Sequence, residues 1–198
     1  MKIFKKRVLG ITGAIASGKS TLSAHLKERG LSVIDADKIS KGILKEGKSA
    51  YDIVMREFPE CVIEGKIDRR ALGNIVFSDA KQLKKLNAIT HPLIVEEITE
   101  QVQSCAGHCA IDAPLLFETG LQSLCDEVWC VYAPEDVRID RICKRDGLTP
   151  DEAKLRIHSQ MSDDVRLKLA DRTFDSSRGL DEFLSEADSA LDDFIKEK

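Results

Sequence analysis

The strongest constraint on this chain is a short stretch whose backbone must stay open. Gly13-Ala14-Ile15-Ala16-Ser17-Gly18-Lys19-Ser20-Thr21 satisfies G-x-x-x-x-G-K-[ST] at every fixed position. Before it, Arg7-Val8-Leu9-Gly10-Ile11-Thr12 reads as a short buried strand. After it, residues 20–29 read as a helix that stops at Gly30. Strand, loop and helix in that order are the context in which the pattern holds phosphate. A polyphosphate needs many donors converging on it with no side chains in the way. Gly13 and Gly18 permit the unusual φ/ψ that turns successive N–H groups inward, and the helix start adds partial positive charge. Lys19 then reaches the β- and γ-phosphates and the Ser20 hydroxyl ligates Mg²⁺.

Such a loop needs a sheet to carry it, and 198 residues suffice for one large domain with a full core. With 42% hydrophobic and 32% charged residues, the composition is that of a globular protein, and no apolar run approaches the length of a membrane span. A net charge of −4 provides no field to gather nucleic acid. Met1-Lys2-Ile3-Phe4-Lys5-Lys6-Arg7 is basic but leads into the first strand, so no secretory signal is expected. The six cysteines then read as reduced thiols of a cytoplasmic protein. Cys105 and Cys109 are spaced like a metal pair, but structural zinc needs four ligands, and Cys125 and Cys130 form no second close pair.

A second apolar strand, Leu31-Ser32-Val33-Ile34, ends in Asp35-Ala36-Asp37. Ligands gather at strand carboxyl ends in open α/β sheets, so these acids are candidates for chemistry on an acceptor. One of them can instead cap the helix expected near Lys38. Residues 38–105 read as a helical, substrate-binding insert without an obvious strand. In it Asp68 caps an apolar-periodic helix, and Pro92 should kink or split the long segment 80–102. His91 and Arg69 are candidate substrate contacts, each with a structural role as the alternative. The sheet resumes at Cys109-Ala110-Ile111, and Asp112 takes the place of a second Mg²⁺-site carboxylate. A strand over 126–133 precedes a helix over 134–145, and Thr149-Pro150-Asp151-Glu152 is a capping box that starts another. Residues 138–160, with Arg141, Arg145 and Arg156, resemble a lid over nucleotide phosphates. A last strand at Arg172-Thr173-Phe174 and a helix over 180–195 complete a parallel α/β sheet of about five strands, flanked by helices. The whole chain, residues 1–198, reads as one P-loop kinase domain.

A guanine-reading Asn-Lys-x-Asp stretch does not occur, and a remodelling ATPase is usually larger. A phosphate loop, acceptor-side acids, a helical insert and an arginine lid together suit a small-molecule kinase. GAIASGKST, VIDAD (Val33 to Asp37), GKIDRRALGNIVF (Gly65 to Phe77), LNAITHPLI (Leu86 to Ile94) and DAPLLFE (Asp112 to Glu118) resemble the dephospho-coenzyme A kinase family over nearly the whole chain. The resemblance implies ATP and dephospho-coenzyme A as substrates, Mg²⁺ as cofactor, and phosphorylation of the ribose 3′-hydroxyl, the last step of coenzyme A synthesis. It places Asp37 at the hydroxyl with Asp35 beside it, Lys19 and Arg141 in catalysis, and Arg145 with residues 13–21 on ATP. It implies no nucleic acid, membrane or obligate protein partner. A nucleoside or nucleotide kinase, or a regulatory ATPase, is the alternative. Family members commonly have Gly-Gly-Ile-Gly where this chain has Gly13-Ala14-Ile15-Ala16, and the two methyl groups fit if φ stays negative at both alanines. They also tend to carry an Asp-Asn pair near the adenine, where this chain has Asp175-Ser176-Ser177.

Overall fold

A computed structural model of the chain describes residues 6–196; the basic residues 1–5 read above lie outside the described residues. It divides into two compact units, one made of the chain up to Ile34 together with the chain from Ser104 onward, the other of Asp35–Gln103.

The first unit is built on a five-stranded sheet of order β2-β5-β1-β6-β7, with β1 Val8–Gly13, β2 Ser32–Asp35, β5 Cys109–Asp112, β6 Glu127–Tyr132 and β7 Arg172–Asp175. The central strand β1 is buried along its full length, as expected of a strand covered on both faces. It runs parallel to both β5 and β6, and β6 runs parallel to β7. The register sets Ile11 beside Asp112, Gly13 beside Val131 and Tyr132 beside Asp175, so these strands deliver their carboxyl ends to one edge.

Helix α1, Lys19–Glu28, buries Leu22 and Leu26 against this sheet, and α9, Leu180–Lys196, buries Phe183, Ala187, Ala190, Leu191 and Phe194 at helical spacing. Trp129 on β6 packs on Phe174 and Phe194, with ring centroids 5.0 and 6.3 Å apart, and its indole N–H donates to Glu127 at 2.7 Å. The Arg7 guanidinium lies 4.3 Å from the centre of the Phe194 ring and donates to the Phe194 carbonyl at 2.7 Å. No helix among the described residues is long and apolar enough to cross a membrane.

After β6 come α6 Glu135–Asp146, α7 Pro150–His158 and α8 Asp163–Leu169. Gly147, at φ 69°, closes α6, and the capping box of Thr149 and Glu152 opens α7 as its sequence signature requires. The sequence reading lacks α8 because this helix is only seven residues long and the side chain it buries is Arg166, so no apolar period marks it. Arg138 on α6 and Arg166 on α8 are buried together around Asp163, with Glu118 at 3.5 Å from Arg166.

The second unit contains α2 Ala36–Gly42, α3 Ser49–Glu57, α4 Arg69–Ser78 and α5 Ala80–Ser104, packed around Val54, Phe58, Cys61, Leu72 and Val76. Two expectations need correction here. The stretch is not strand-free: β3 Val62–Ile63 and β4 Lys66–Ile67 form an antiparallel hairpin, too short to show alternation. Its turn residues Glu64 and Gly65 both have positive φ, as a two-residue hairpin turn demands. Pro92 does not split the long segment, since α5 is one helix of 25 residues. Leu83, Leu86 and Ile89 before the proline pack on the unit's core and Ile98 after it is buried, so packing on both sides outweighs the lost backbone bond.

Because Phe194 is fully buried between Trp129 and Arg7, Phe194→Ala should lower unfolding stability by about 3–5 kcal/mol. Urea unfolding measures this directly, and a loss below about 1 kcal/mol would contradict the assigned packing.

Candidate functional site

The loop runs from Gly13 at the end of β1 to Lys19 at the start of α1. A Cβ at Gly13 would lie 2.6 Å from both the Val131 carbonyl and Ser17 Oγ, so only glycine fits beside β6. Gly18 has φ 96° and a hypothetical Cβ 3.0 Å from Ser176, which imposes glycine twice over. Ala14 keeps an ordinary negative φ, but Ala16 has φ 60°. The condition of negative φ is therefore met at Ala14 but not at Ala16, which carries its methyl group in the left-handed region at a cost of about 1–2 kcal/mol.

Bonds from outside the loop hold this conformation. Arg141 on α6 donates to the Ala16 carbonyl at 3.0 Å, and to Ser176 at its hydroxyl (2.8 Å) and its carbonyl (2.9 Å). Ser176 Oγ in turn donates to the Ser17 carbonyl at 2.6 Å. On the other flank the Ile15 N–H donates to Gln160 Oε1 at 2.8 Å, and Ile15 and Ala16 pack against Ile142, Ala153 and Ile157 of α6 and α7.

The start of α1 is left open. Helices α2, α4 and α7 have side-chain caps from Asp35, Asp68 and Thr149, whereas α1 has neither a side-chain cap nor an acid in its first turn. Its leading N–H groups, and the buried Ser17 hydroxyl that lacks a protein partner, are donors awaiting an acceptor. Lys19 Nζ reaches Asp112 Oδ1 at the end of β5, while Asp112 Oδ2 has no protein partner among the described residues.

A cavity of about 480 Å³ opens over the loop. It is lined by Gly18, Ser20 and Thr21, by Arg141 and Arg145, and by the turn from Ser176 into α9. Arg145 forks onto Asp146 at 2.8 and 2.9 Å, and Arg156 reaches the same carboxylate at 3.0 Å. The hydrogen bond from Arg145 holds the Asp146 carboxyl below its usual range. Burial pushes the Asp175 carboxyl up, but the Ser177 hydroxyl and N–H donating to it outweigh that, and the net shift is downward. Burial raises the Cys109 thiol to about 11 and the Cys125 and Cys130 thiols to about 12, which keeps all three protonated and unreactive at neutral pH.

Among the residues singled out from sequence, residues 13–21, Asp112, Arg141 and Arg145 therefore assemble in the first unit. Arg156 is in the same unit, on Asp146, while Asp35, Asp37, Arg69 and His91 belong to the second. Asp35 takes the capping role, accepting from the Lys38 N–H at 2.8 Å, while Asp37 in the first turn of α2 is exposed with no partner among the described residues. Arg69 donates to the Lys41 carbonyl at 3.0 Å, and His91 carries a buried Nε2 without a hydrogen-bond partner. Sequence reasoning placed Ser176 only by resemblance, near the adenine, and missed its bonds to the loop and to Arg141; it missed Gln160 altogether, whose only signal was its position just past a capped helix.

Comparison with known proteins agrees with this geometry. The family described as dephospho-CoA kinase matches residues 7–182. A dephospho-CoA kinase of Carboxydothermus hydrogenoformans is 42% identical over 180 residues, covering 88% of this chain and 87% of its own. The crystal structure of TT1252 from Thermus thermophilus superposes with a TM-score of 0.85 at 33% identity, covering 97% of this chain and 99% of its own. A dephospho-CoA kinase from Campylobacter jejuni superposes with a TM-score of 0.63 at 30% identity, covering 95% of this chain and 97% of its own.

The two alanines of the loop should respond in opposite directions. Ala16→Gly removes a left-handed methyl and should leave stability unchanged or raise it by up to about 1 kcal/mol, whereas Ala14→Gly should lower it by about 0.4–1 kcal/mol. Thermal unfolding of the two variants side by side checks this, and a clear loss in Ala16→Gly would contradict the assigned backbone.

Proposed function

The chain belongs to the dephospho-CoA kinase family, and from that premise we propose that it transfers the γ-phosphoryl group of ATP to the ribose 3′-hydroxyl of dephospho-CoA, giving ADP and coenzyme A. The observation that carries the ATP half of this reading is the uncapped start of α1, with Lys19 and the orphaned Ser17 hydroxyl at the phosphate loop.

In the transfer the hydroxyl oxygen bonds to phosphorus, the bond to the β,γ-bridging oxygen breaks, and the hydroxyl proton must go to a base. Asp37 suits that task because its carboxylate is uncommitted, while Asp35 is held as a cap. A carboxylate is a weak base for an alcohol. The transition state is loose, however, so the acid chiefly orients the hydroxyl and takes its proton late. Lys19 exchanges Asp112 for the phosphate oxygens, placing its charge where negative charge builds. Arg141, tied to the loop and to Ser176, serves catalysis by holding the loop carbonyl turned outward and keeping a guanidinium at the cavity wall. Arg145 is an ATP contact that gives up Asp146 for phosphate.

The oxygen donors suit Mg²⁺: the Ser20 hydroxyl at the helix start and the unpartnered Oδ2 of Asp112 are hard ligands for a cation that otherwise keeps its waters. When bound, the ion neutralises the β- and γ-phosphate oxygens. Residues 138–160 act as the lid. Residues 38–105, with Asp35, Arg69 and His91, hold dephospho-CoA. The cysteines, none of them in a disulfide, suit a cytoplasmic enzyme.

Purified protein assayed for ADP release should respond to dephospho-CoA and remain near background with nucleoside monophosphates or no acceptor. Acceptor-independent hydrolysis, or stimulation by a monophosphate instead, would overturn the assignment. Asp37→Asn should lower turnover by roughly 10²–10⁴ with ATP affinity little changed, and Lys19→Ala should abolish turnover in a folded protein. Near-normal turnover in Asp37→Asn, or a loss confined to Asp35→Asn, would move the base elsewhere.

A further inference from the structure

The bond between Gln160 and the phosphate loop belongs to none of the roles above. Ile15 lies inside the loop, between the two fixed glycines, so its N–H belongs to the backbone that surrounds the phosphates. That donor is already occupied by Gln160 Oε1 at 2.8 Å. Because an N–H can only donate, the oxygen of the amide must face Ile15, and this fixes which way the amide is turned. The Nε2 group is then held beside the loop with two N–H donors and no protein acceptor among the described residues.

Gln160 is not a loose surface side chain. It is half-buried and follows directly on the C-terminal cap Ser159 of α7, and its own N–H closes the chain onto the Ile157 carbonyl at 3.2 Å. Ala153 and Ile157 of the same helix pack in one cluster with Ile15 and Ala16, so helix and loop form one body at this point. A strut alone would need only the oxygen. An amide adds a neutral donor pair, oriented in advance and carrying no charge that another residue must balance.

We propose that Gln160 is a catalytic residue of the reaction. Its Oε1 stays on the Ile15 N–H while its Nε2 donates to the terminal phosphoryl group of ATP and strengthens that bond as charge shifts during transfer. The inference rests on the reading of the loop as an ATP site. A preorganised donor of this kind typically contributes on the order of 10²–10³ in turnover.

Two variants separate the donor from the strut. Gln160→Met keeps length and packing but has neither oxygen nor N–H₂. Gln160→Glu keeps an oxygen for Ile15 and loses the donor. Binding of ATP and of ADP is measured by calorimetry alongside turnover with dephospho-CoA, and thermal unfolding verifies that both variants are folded. In Gln160→Met the ratio of ATP to ADP affinity should fall by about tenfold and turnover by about 10²; Gln160→Glu should not recover turnover. Equal weakening of ATP and ADP in Gln160→Met, or wild-type turnover in Gln160→Glu, would reduce the residue to a strut and overturn the proposal. Tighter ATP binding in Gln160→Met would overturn it too, because Oε1 would then only be holding the place of a phosphate oxygen. If wild-type protein released no ADP in response to dephospho-CoA, the assignment of the acceptor would fail while the ATP-to-ADP ratio still tested Gln160.

Discussion

A phosphate loop is backbone without a ladder: its N–H groups face a common point and must be kept from turning toward one another or toward other carbonyls. In this protein the conformation is held by polar bonds from three later parts of the chain. Arg141 takes the Ala16 carbonyl, Ser176 takes the Ser17 carbonyl, and Gln160 takes the Ile15 N–H. Each satisfies a polar group of the loop from outside and so fixes the orientation of the peptides around it. The sheet order makes this possible. With β1 at the centre, β5 delivers Asp112 on one side, β6 brings Val131 against Gly13 on the other, and β7 continues directly into Ser176.

Charge is arranged on the same plan. The start of α1 carries no acid, so nothing internal competes for its partial positive charge, while three nearby cations are parked on carboxylates and Arg141 on loop oxygens. Lys19 rests on Asp112, and Arg145 and Arg156 share Asp146. Neither group of cations is left to repel its neighbours, and each can exchange a carboxylate for a phosphate at small net cost. The buried Arg138 and Arg166, paired with the partly exposed Asp163 and Glu118, serve a different end, fastening α6 to α8 and to the segment after β5. Two arginines so enclosed are costly unless paired, which makes this set sensitive to removal of either acid.

What was legible in the sequence follows from these physical demands. The loop is readable because its glycines and lysine are required by geometry at fixed spacing, and the strands are readable because a buried parallel sheet needs unbroken apolar runs. The capping box at Thr149 is local chemistry and was found intact. The hairpin at Val62 to Ile67 and helix α8 were illegible because neither is long enough to show a period, and α8 turns a charged side chain inward. The left-handed φ of Ala16 could not be foreseen from residue type, since alanine gives no sign of it; the bond from Arg141, 125 residues away, holds it there. The loop contacts of Ser176 and Gln160 were invisible for the same reason: they span 159 and 145 residues and depend on the finished fold.

The central claim is that this loop and its surroundings move one phosphoryl group from ATP to a ribose hydroxyl. The most direct test is ³¹P NMR of the product formed from ATP and dephospho-CoA. The account predicts one new phosphomonoester, coupled to the ribose H3′ and formed in equal amount with ADP. A phosphate coupled to H2′, or inorganic phosphate accumulating without any new ester, would contradict it.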